Sequence, residues 1–167
     1  PTVHHQLLAH GIAAPILREH GAVQAAPTLN HSLVLPASES ADDHAAADLL
    51  DAIHNRLFTD PLLTGQYPDL SPFGVELPVA DGDMDLISAP NEVYGFNYYN
   101  PTTVRASTGP VPFEMVPTPG APVTGFGPMW PIRPDTMRDF LIDMGRRYGS
   151  ALPPIIMLAV SGWLFKR

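Results

Sequence analysis

The chain has 167 residues, enough for one domain with a sizeable core. Its formal charge of −8, with Lys166 as the one lysine, argues against nucleic acids and anionic membranes as partners. The absence of cysteine excludes disulfides and thiolate sites. Together with an N-terminal stretch that does not resemble a secretory signal, this composition predicts a cytoplasmic protein.

The first predicted element is a helix from His4 to His20. Pro15 is expected to kink it and Gly21 to end it. Apolar residues recur every three or four positions, which predicts one buried face made of Leu7, Leu8, Ile12, Ile16 and Leu17. The histidines in this segment do not have the spacing of a metal motif, so no metal site is predicted.

A strand and a second helix are predicted next. The strand covers Ala25 to Leu35, where β-branched and apolar residues are frequent. The helix begins at a serine cap, Ser38 or Ser40, and runs to about Phe58. Asp60-Pro61 is expected to end this helix, because proline lacks the amide hydrogen-bond donor that a helix interior needs.

The aromatic segment from Val93 to Tyr99 predicts a short buried strand, which Asn100-Pro101 ends. Its carboxyl end carries Asn97 and Tyr99. This is the edge at which α/β folds hold their chemistry, so these side chains are candidate site residues.

The acidic residues before that strand have the spacing of a calcium-binding loop: Asp81, Asp83, Asp85 and Glu92. Leu86 occupies the position at which such a loop needs glycine. Calcium is therefore not predicted, and neither is any other metal.

The last third of the chain begins with a proline- and glycine-rich loop, 107–134. A helix with a buried face of Met137, Phe140, Leu141 and Met144 follows and ends near Gly149. Leu152 to Ile156 then reads as the start of a strand. The apolar tail is too short to span a membrane.

Four segments of the chain carry a combined resemblance: HHQLLAHG at 4–11, HNRLFTDPLLTGQYP at 54–68, SAPNEVYGFNYYNP at 88–101 and LPPII at 152–156. Together they resemble glycoside hydrolase family 1, the retaining β-glucosidases. The resemblance covers nearly the whole chain but only about the middle third of a full family member.

The resemblance implies an α/β fold, an incomplete (β/α)8 TIM barrel with about strands 5 to 7 and their helices. The chain 1–167 would be one partial barrel domain, with the loop 107–134 and a divergent tail, 157–167. The implied activity is hydrolysis of terminal β-D-glucosyl residues with retention, on a β-glucoside or oligosaccharide, and without a cofactor.

The resemblance also assigns roles to individual residues. Tyr99 matches the tyrosine whose hydroxyl holds the nucleophile, and Asn97 matches the asparagine near the acid/base. Ala159 stands where the nucleophilic glutamate belongs, and the acid/base glutamate maps upstream of Pro1. No residue of this chain is therefore assigned as catalytic, and the isolated chain is expected to be inactive.

Two other functions remain open from the sequence. In the first, the chain is a non-catalytic remnant. In the second, it is a partner-binding fragment that needs a complementing half-barrel. Three strands of a barrel leave open edges, which favours a complementing chain, self-association or aggregation. A natural truncation, an engineered one and an altered reading frame would all explain the tail.

Overall fold

The computed structural model describes residues 2–71 and 74–160. Helices and strands alternate along most of the chain. The elements are α1 (Thr2–Glu19), β1 (Thr28–His31), β2 (Val34–Pro36), α2 (Ala41–Asp51), a π-helical turn (Ala52–Arg56), α3 (Leu57–Thr64), α4 (Asp83–Ile87), β3 (Tyr94–Tyr98), β4 (Thr102–Ala106), β5 (Phe113–Val116), α5 (Pro134–Tyr148), a 3-10 turn (Gly149–Ala151) and β6 (Ile155–Val160).

The strands form two three-stranded sheets. Sheet A has the order β1-β3-β6 and is parallel throughout, with helices in the connections between its strands. Sheet B has the order β2-β4-β5, in which β2 and β4 are parallel and β4 and β5 form an antiparallel hairpin. Parallel strands joined by helices confirm the predicted α/β class.

The strand predicted for 25–35 is wrong in extent, because this segment crosses from sheet A to sheet B. Ser32 lies between the two strands, and its hydroxyl donates to the carbonyl oxygen of Asn100 at 2.8 Å. The next carbonyl, that of Leu33, accepts from the amide of Thr102 in sheet B at 2.9 Å. Backbone polar groups are thus paired on both sides of the crossing.

The second helix begins at Ser40, as predicted, and its side chain accepts from the amide of Asp43 at 3.1 Å. The predicted stop at Pro61 is wrong, because the helical path continues through the π-helical turn and α3 to Thr64. Pro61 and Leu62 are buried, and this burial offsets the hydrogen bond that the proline cannot make.

The predicted buried face of α1 is wrong for three of its five residues, whereas Leu7 is buried and Leu8 is partly buried against the same cluster. Ile12, Ile16 and Leu17 are about half exposed, whereas the buried residues are His4, Leu7, Gly11 and Ala14. A Cβ added to Gly11 would lie 2.4 Å from the carbonyl oxygen of Leu86. The backbones of α1 and α4 therefore approach so closely that small side chains face the contact.

The main core lies between β3 and α5. Tyr94, Phe96 and Tyr98 point to one side of sheet A, which we call the helix face, and pack against Phe140 and Met144 of α5. The segment 107–134, predicted as a loop, contains β5 as well. No helix within 2–71 and 74–160 has the length and apolar character to cross a membrane.

The opposite side of sheet A, which we call the inner face, is shaped by Gly95. Gly95 is the register partner of Thr28 in β1. A Cβ added to Gly95 would lie 2.3 Å from the Thr28 hydroxyl oxygen and 3.0 Å from the carbonyl oxygen of Pro27. The absence of a side chain at this position lets Thr28 lean over β3.

We expect Gly95→Ala to lower the free energy of unfolding by about 1–3 kcal/mol, because Thr28 and the backbone of Pro27 must move. Gly145→Ala, in α5, is the matched control, because the added Cβ would meet no atom within 4 Å apart from the neighbouring residues and the backbone of its own helix. It should raise stability by up to about 1 kcal/mol through helix propensity. Urea unfolding followed by circular dichroism measures both, and equal effects would contradict the close packing of β1 on β3.

Candidate functional site

The inner face of sheet A presents small and polar side chains. Thr28 and Asn30 of β1 alternate with Leu29 and His31, and the register pairs Asn30 with Asn97 of β3. Side chains at equal register on neighbouring parallel strands share a face. The amide nitrogen of Asn97 donates to the amide oxygen of Asn30 at 2.8 Å.

The second polar atom of the Asn97 side chain is its amide oxygen. It is buried and has no hydrogen-bond partner within the part of the chain that the structure describes. Because the amide nitrogen of Asn97 already donates to Asn30, the amide oxygen is the side-chain atom of Asn97 that can accept a hydrogen bond from another group.

The two tyrosines that follow Asn97 have different surroundings. Tyr98 lies on the helix face, where its hydroxyl donates to Thr136 at 2.7 Å, and its burial raises the pKa of that hydroxyl. Tyr99 is the first residue after β3, and alternation gives it the side of Asn97. Its ring meets Trp130 edge-on, with ring centroids 6.1 Å apart.

The backbone of Ala159 lies opposite Asn97 on the other neighbour of β3. The register of β6 against β3 runs Gly95–Ile156, Phe96–Met157 and then Asn97–Ala159, with a β-bulge at this point. The strands thus bring the backbones of Asn30, Asn97 and Ala159 into one row across sheet A.

A buried polar network lies behind this row, on the helix face. The His31 ring contacts the Asn55 amide oxygen at 3.1 Å and the Tyr94 hydroxyl at 2.8 Å. Asn55 donates to the carbonyl oxygen of Ser32 at 2.9 Å and to the Asp51 carboxylate at 2.8 Å. Asn55 therefore holds the end of β1 as a neighbouring strand would.

Burial changes the acidity of two members of this network. It lowers the pKa of His31 to about 4, although the Asn55 hydrogen bond acts in the opposite direction. It raises the pKa of the Tyr94 hydroxyl, which also contacts Thr59 at 3.1 Å. His31 is therefore neutral at pH 7 and stacks between aromatic rings of the core.

Sequence reasoning missed the pairing of Asn30 with Asn97 and the part played by Asn55. The signal for Asn30 lies in the parallel order of β1 and β3, in which an asparagine follows Thr28-Leu29 and Gly95-Phe96 alike. Among the described residues, no group of three or more His, Cys, Asp or Glu side chains is placed to hold a metal ion.

We expect acid to destabilise the fold through His31. The unfolded state binds a proton at this ring below about pH 6.5, whereas the folded state does so only near pH 4. The stability is full above pH 6.5 and is lost as the pH falls towards 4, by on the order of 3 kcal/mol. His31→Gln should remove this part of the pH dependence, whereas His20→Gln, at an exposed position, should retain it.

Urea unfolding between pH 7 and pH 4 gives the required slopes. The same slope in His31→Gln and in the unchanged chain would rule out a neutral buried His31.

Comparisons with known proteins agree with this arrangement. The family model for glycosyl hydrolase family 1 matches residues 1–161. β-Glucosidase A of Acetivibrio thermocellus is 32% identical over 98% of the chain and 37% of its own length. The bifunctional β-D-glucosidase/β-D-fucosidase of Bifidobacterium breve is 34% identical over 87% of the chain and 34% of its own length. The chain therefore spans little more than a third of these relatives.

Solved structures give the same result. The psychrophilic β-glucosidase BglU from Micrococcus antarcticus superposes with a TM-score of 0.83 at 28% identity, over 95% of the chain and 39% of BglU. Virulence factor SghA from Agrobacterium tumefaciens superposes with a TM-score of 0.85 at 28% identity, over 95% of the chain and 36% of SghA. These comparisons confirm the predicted partial TIM barrel. The chain belongs to glycosyl hydrolase family 1.

Proposed function

We propose that this chain is the middle part of a retaining β-glucosidase and supplies supporting groups of the active site. The observation that carries the proposal is the row of Asn30, Asn97 and the backbone of Ala159 at the carboxyl end of parallel strands. Parallel barrels hold their reacting groups at that end of the strands. Membership of the family supports β-glucosides or oligosaccharides as substrates.

In this proposal, Tyr99 and Asn97 act on groups that the rest of a barrel supplies. A retaining mechanism needs two carboxyl groups about 5–5.5 Å apart, one as nucleophile and one as acid/base. The Tyr99 hydroxyl would donate to the nucleophilic carboxylate, lower its pKa and fix its orientation. Asn97 would hold the acid/base side of the site, with its free amide oxygen as the acceptor.

The described inner face contributes no carboxylate to this pair. Its side chains in β1 and β3 are Thr28, Asn30 and Asn97, with Gly95 between them. Ala159, the register partner of Asn97 in β6, is not an acid either. We therefore expect the 167-residue chain alone to be without turnover. A cytoplasmic location stays a prediction.

Hydrolysis of a chromogenic aryl β-glucoside by the purified chain tests this function, with Ala159→Glu as a parallel sample. We expect no hydrolysis by either, because one restored carboxylate cannot replace the missing acid/base. Turnover by the unchanged chain would contradict the proposal and would mean that another pair of carboxylates reacts.

The second candidate is a fragment that binds a complementing half-barrel through its open edges. β1 and β6 are the outer strands of sheet A among the described residues, and each has one strand neighbour. Unpaired strand edges bind further strands or cause aggregation.

We expect the isolated chain to self-associate, which light scattering over a concentration series would detect. A monomer with cooperative urea unfolding would contradict the open-edge candidate and favour a self-sufficient module.

A further inference from the structure

A cleft of about 350 Å³ runs along the open edge of β1. It is lined by Thr28, Leu29, Asn30, His31, His54 and Phe58. The amide of Gly95 in β3 donates to the carbonyl oxygen of Pro27 at 2.8 Å. Because successive residues of a strand direct their backbone groups to alternate sides, those of Thr28 and Asn30 face the cleft. The cleft therefore offers the backbone groups with which a further strand would pair.

Asn55 occupies the next position along this edge. The amide of Ser32 donates to the Asn55 side-chain oxygen at 3.3 Å, and the carbonyl oxygen of Ser32 accepts from the Asn55 side-chain nitrogen at 2.9 Å. β1 itself, TLNH, contains no Lys, Arg, Asp or Glu, the charged residues that commonly protect an exposed strand edge. The unprotected stretch is therefore short, and it ends where Asn55 begins.

An apolar flank of α1 lies on the same side of the molecule. The His10 ring bonds to the Asn91 side chain at 2.9 Å, just before β3, so the flank of α1 with His10 faces β3. Leu8, Ile12 and Ile16 follow one another at four-residue steps on the opposite flank. Leu8 belongs to the same apolar cluster as the two apolar residues of the cleft, whereas Ile12 and Ile16 are about half exposed. The open edge and this flank therefore form one uncovered surface.

The other end of sheet A has an open side as well. β6 is the outer strand there and runs parallel to β3. Arg147 pairs with Asp51 at 2.9 Å, so its side of α5 faces α2, whereas Leu141 and Gly145 lie on the opposite flank. A Cβ added to Gly145 would meet no atom within 4 Å apart from the neighbouring residues and the backbone of its own helix. The surface at Gly145 is therefore open to a neighbouring helix.

The order of the elements indicates what fits against these two ends. The connections from β1 to β3 and from β3 to β6 both contain helices and join neighbouring parallel strands. α1 precedes β1 in the same way, so its position suits a helix between β1 and a parallel strand on the open side. All strands of sheet A share one direction, so β6 of a second copy has the direction that this place requires.

We propose that a second copy of this chain adds its β6 to the open edge of β1, with α1 of the first copy against α5 of the second. The inference rests on the open-edge candidate above and specifies its partner, its surfaces and its direction. Each contact is head-to-tail and leaves one unused end on each copy. With three strands of sheet A in each copy, two copies give six strands and three give nine. Neither equals the eight strands of a closed barrel, so the assembly grows with concentration.

Sedimentation velocity over a concentration series tests the contact with two blocking variants. Ile16→Lys places a charge on the α1 flank, and Gly145→Lys places one on the α5 flank, both at exposed positions of the single chain. Each variant alone should be monomeric, because each has lost one side of the contact. An equimolar mixture should form a complex with one chain of each variant and nothing larger, because only one pair of intact ends remains.

Leu17→Lys is the matched control. Leu17 is 54% exposed and Ile16 is 50% exposed, and the two substitutions change the charge equally. Leu17 is rotated by about 100° from Ile16 around the helix axis, away from the flank in question. Leu17→Lys should therefore assemble as the unchanged chain does. Circular dichroism verifies that all three variants keep the helix content of the unchanged chain.

Amide hydrogen exchange locates the contact on β1. In the assembled chain the amides of Thr28 and Asn30 should exchange severalfold more slowly than in monomeric Ile16→Lys, because they then bond to the second copy. The amide of Leu29 faces β3 in both, so it should exchange equally.

The outcomes separate this contact from the functions proposed above. Association of either blocking variant alone, loss of association in Leu17→Lys, or a mixture that stays monomeric would overturn the head-to-tail contact but not the open-edge candidate. The edge of β1 would then remain available to a complementing half-barrel. A monomeric unchanged chain would overturn both. The hydrolase proposal depends on neither result, because the aryl β-glucoside assay tests it separately.

Discussion

The parallel pairing of β3 with a strand on each side is the constraint on which the rest of the structure depends. Residues alternate between the two sides of a strand, so the buried aromatic rings of β3 fix which residues occupy the inner face. Because Tyr94, Phe96 and Tyr98 are needed to bury α5, Asn97 is left to the inner face. A shift of one residue in the register of β3 would place its aromatic rings on the inner face and Asn97 on the helix face.

Polar contacts then set how the helices approach that sheet. Arg18 at the end of α1 pairs with Glu92 just before β3, at 2.9 Å. Glu92 also accepts from the amide of Ala25 at 2.8 Å. The Arg18 hydrogen bond and the Ala25 amide lower the pKa of Glu92 to about 2. One carboxylate thus joins the end of α1 to the segments that enter β1 and β3.

Much of this arrangement was predictable from local patterns. The aromatic strand, the Ser40 cap and the helix that begins at Pro134 follow from rules that act over a few residues. The resemblance carried by 54–68 and 88–101 then predicted the parallel barrel, which no local rule supplies.

What the sequence did not predict depends on contacts between distant segments. Periodicity indicated that Ile12, Ile16 and Leu17 would be buried. The close approach of Gly11 to α4 instead places the opposite face of α1 against the rest of the protein. Pro61 lies inside a helix although it lacks the amide donor, and it is buried there. The Asn30–Asn97 bond needs the register of β1 against β3, which neither strand encodes alone.

The π-helical turn at Ala52–Arg56 has a consequence for how the chain tolerates changes in length. A π turn contains one residue more than the α-helical path around it, and in this protein Asn55 lies within it. Deleting one residue between Ala52 and Asn55 would remove the wide turn and move Asn55 relative to the residues before it. Asn55 would then lose either Ser32 or Asp51, because it bonds to both. The helix can thus accept substitutions on its exposed side more readily than a deletion. Its length is fixed because Asn55 must reach Ser32 at the end of β1.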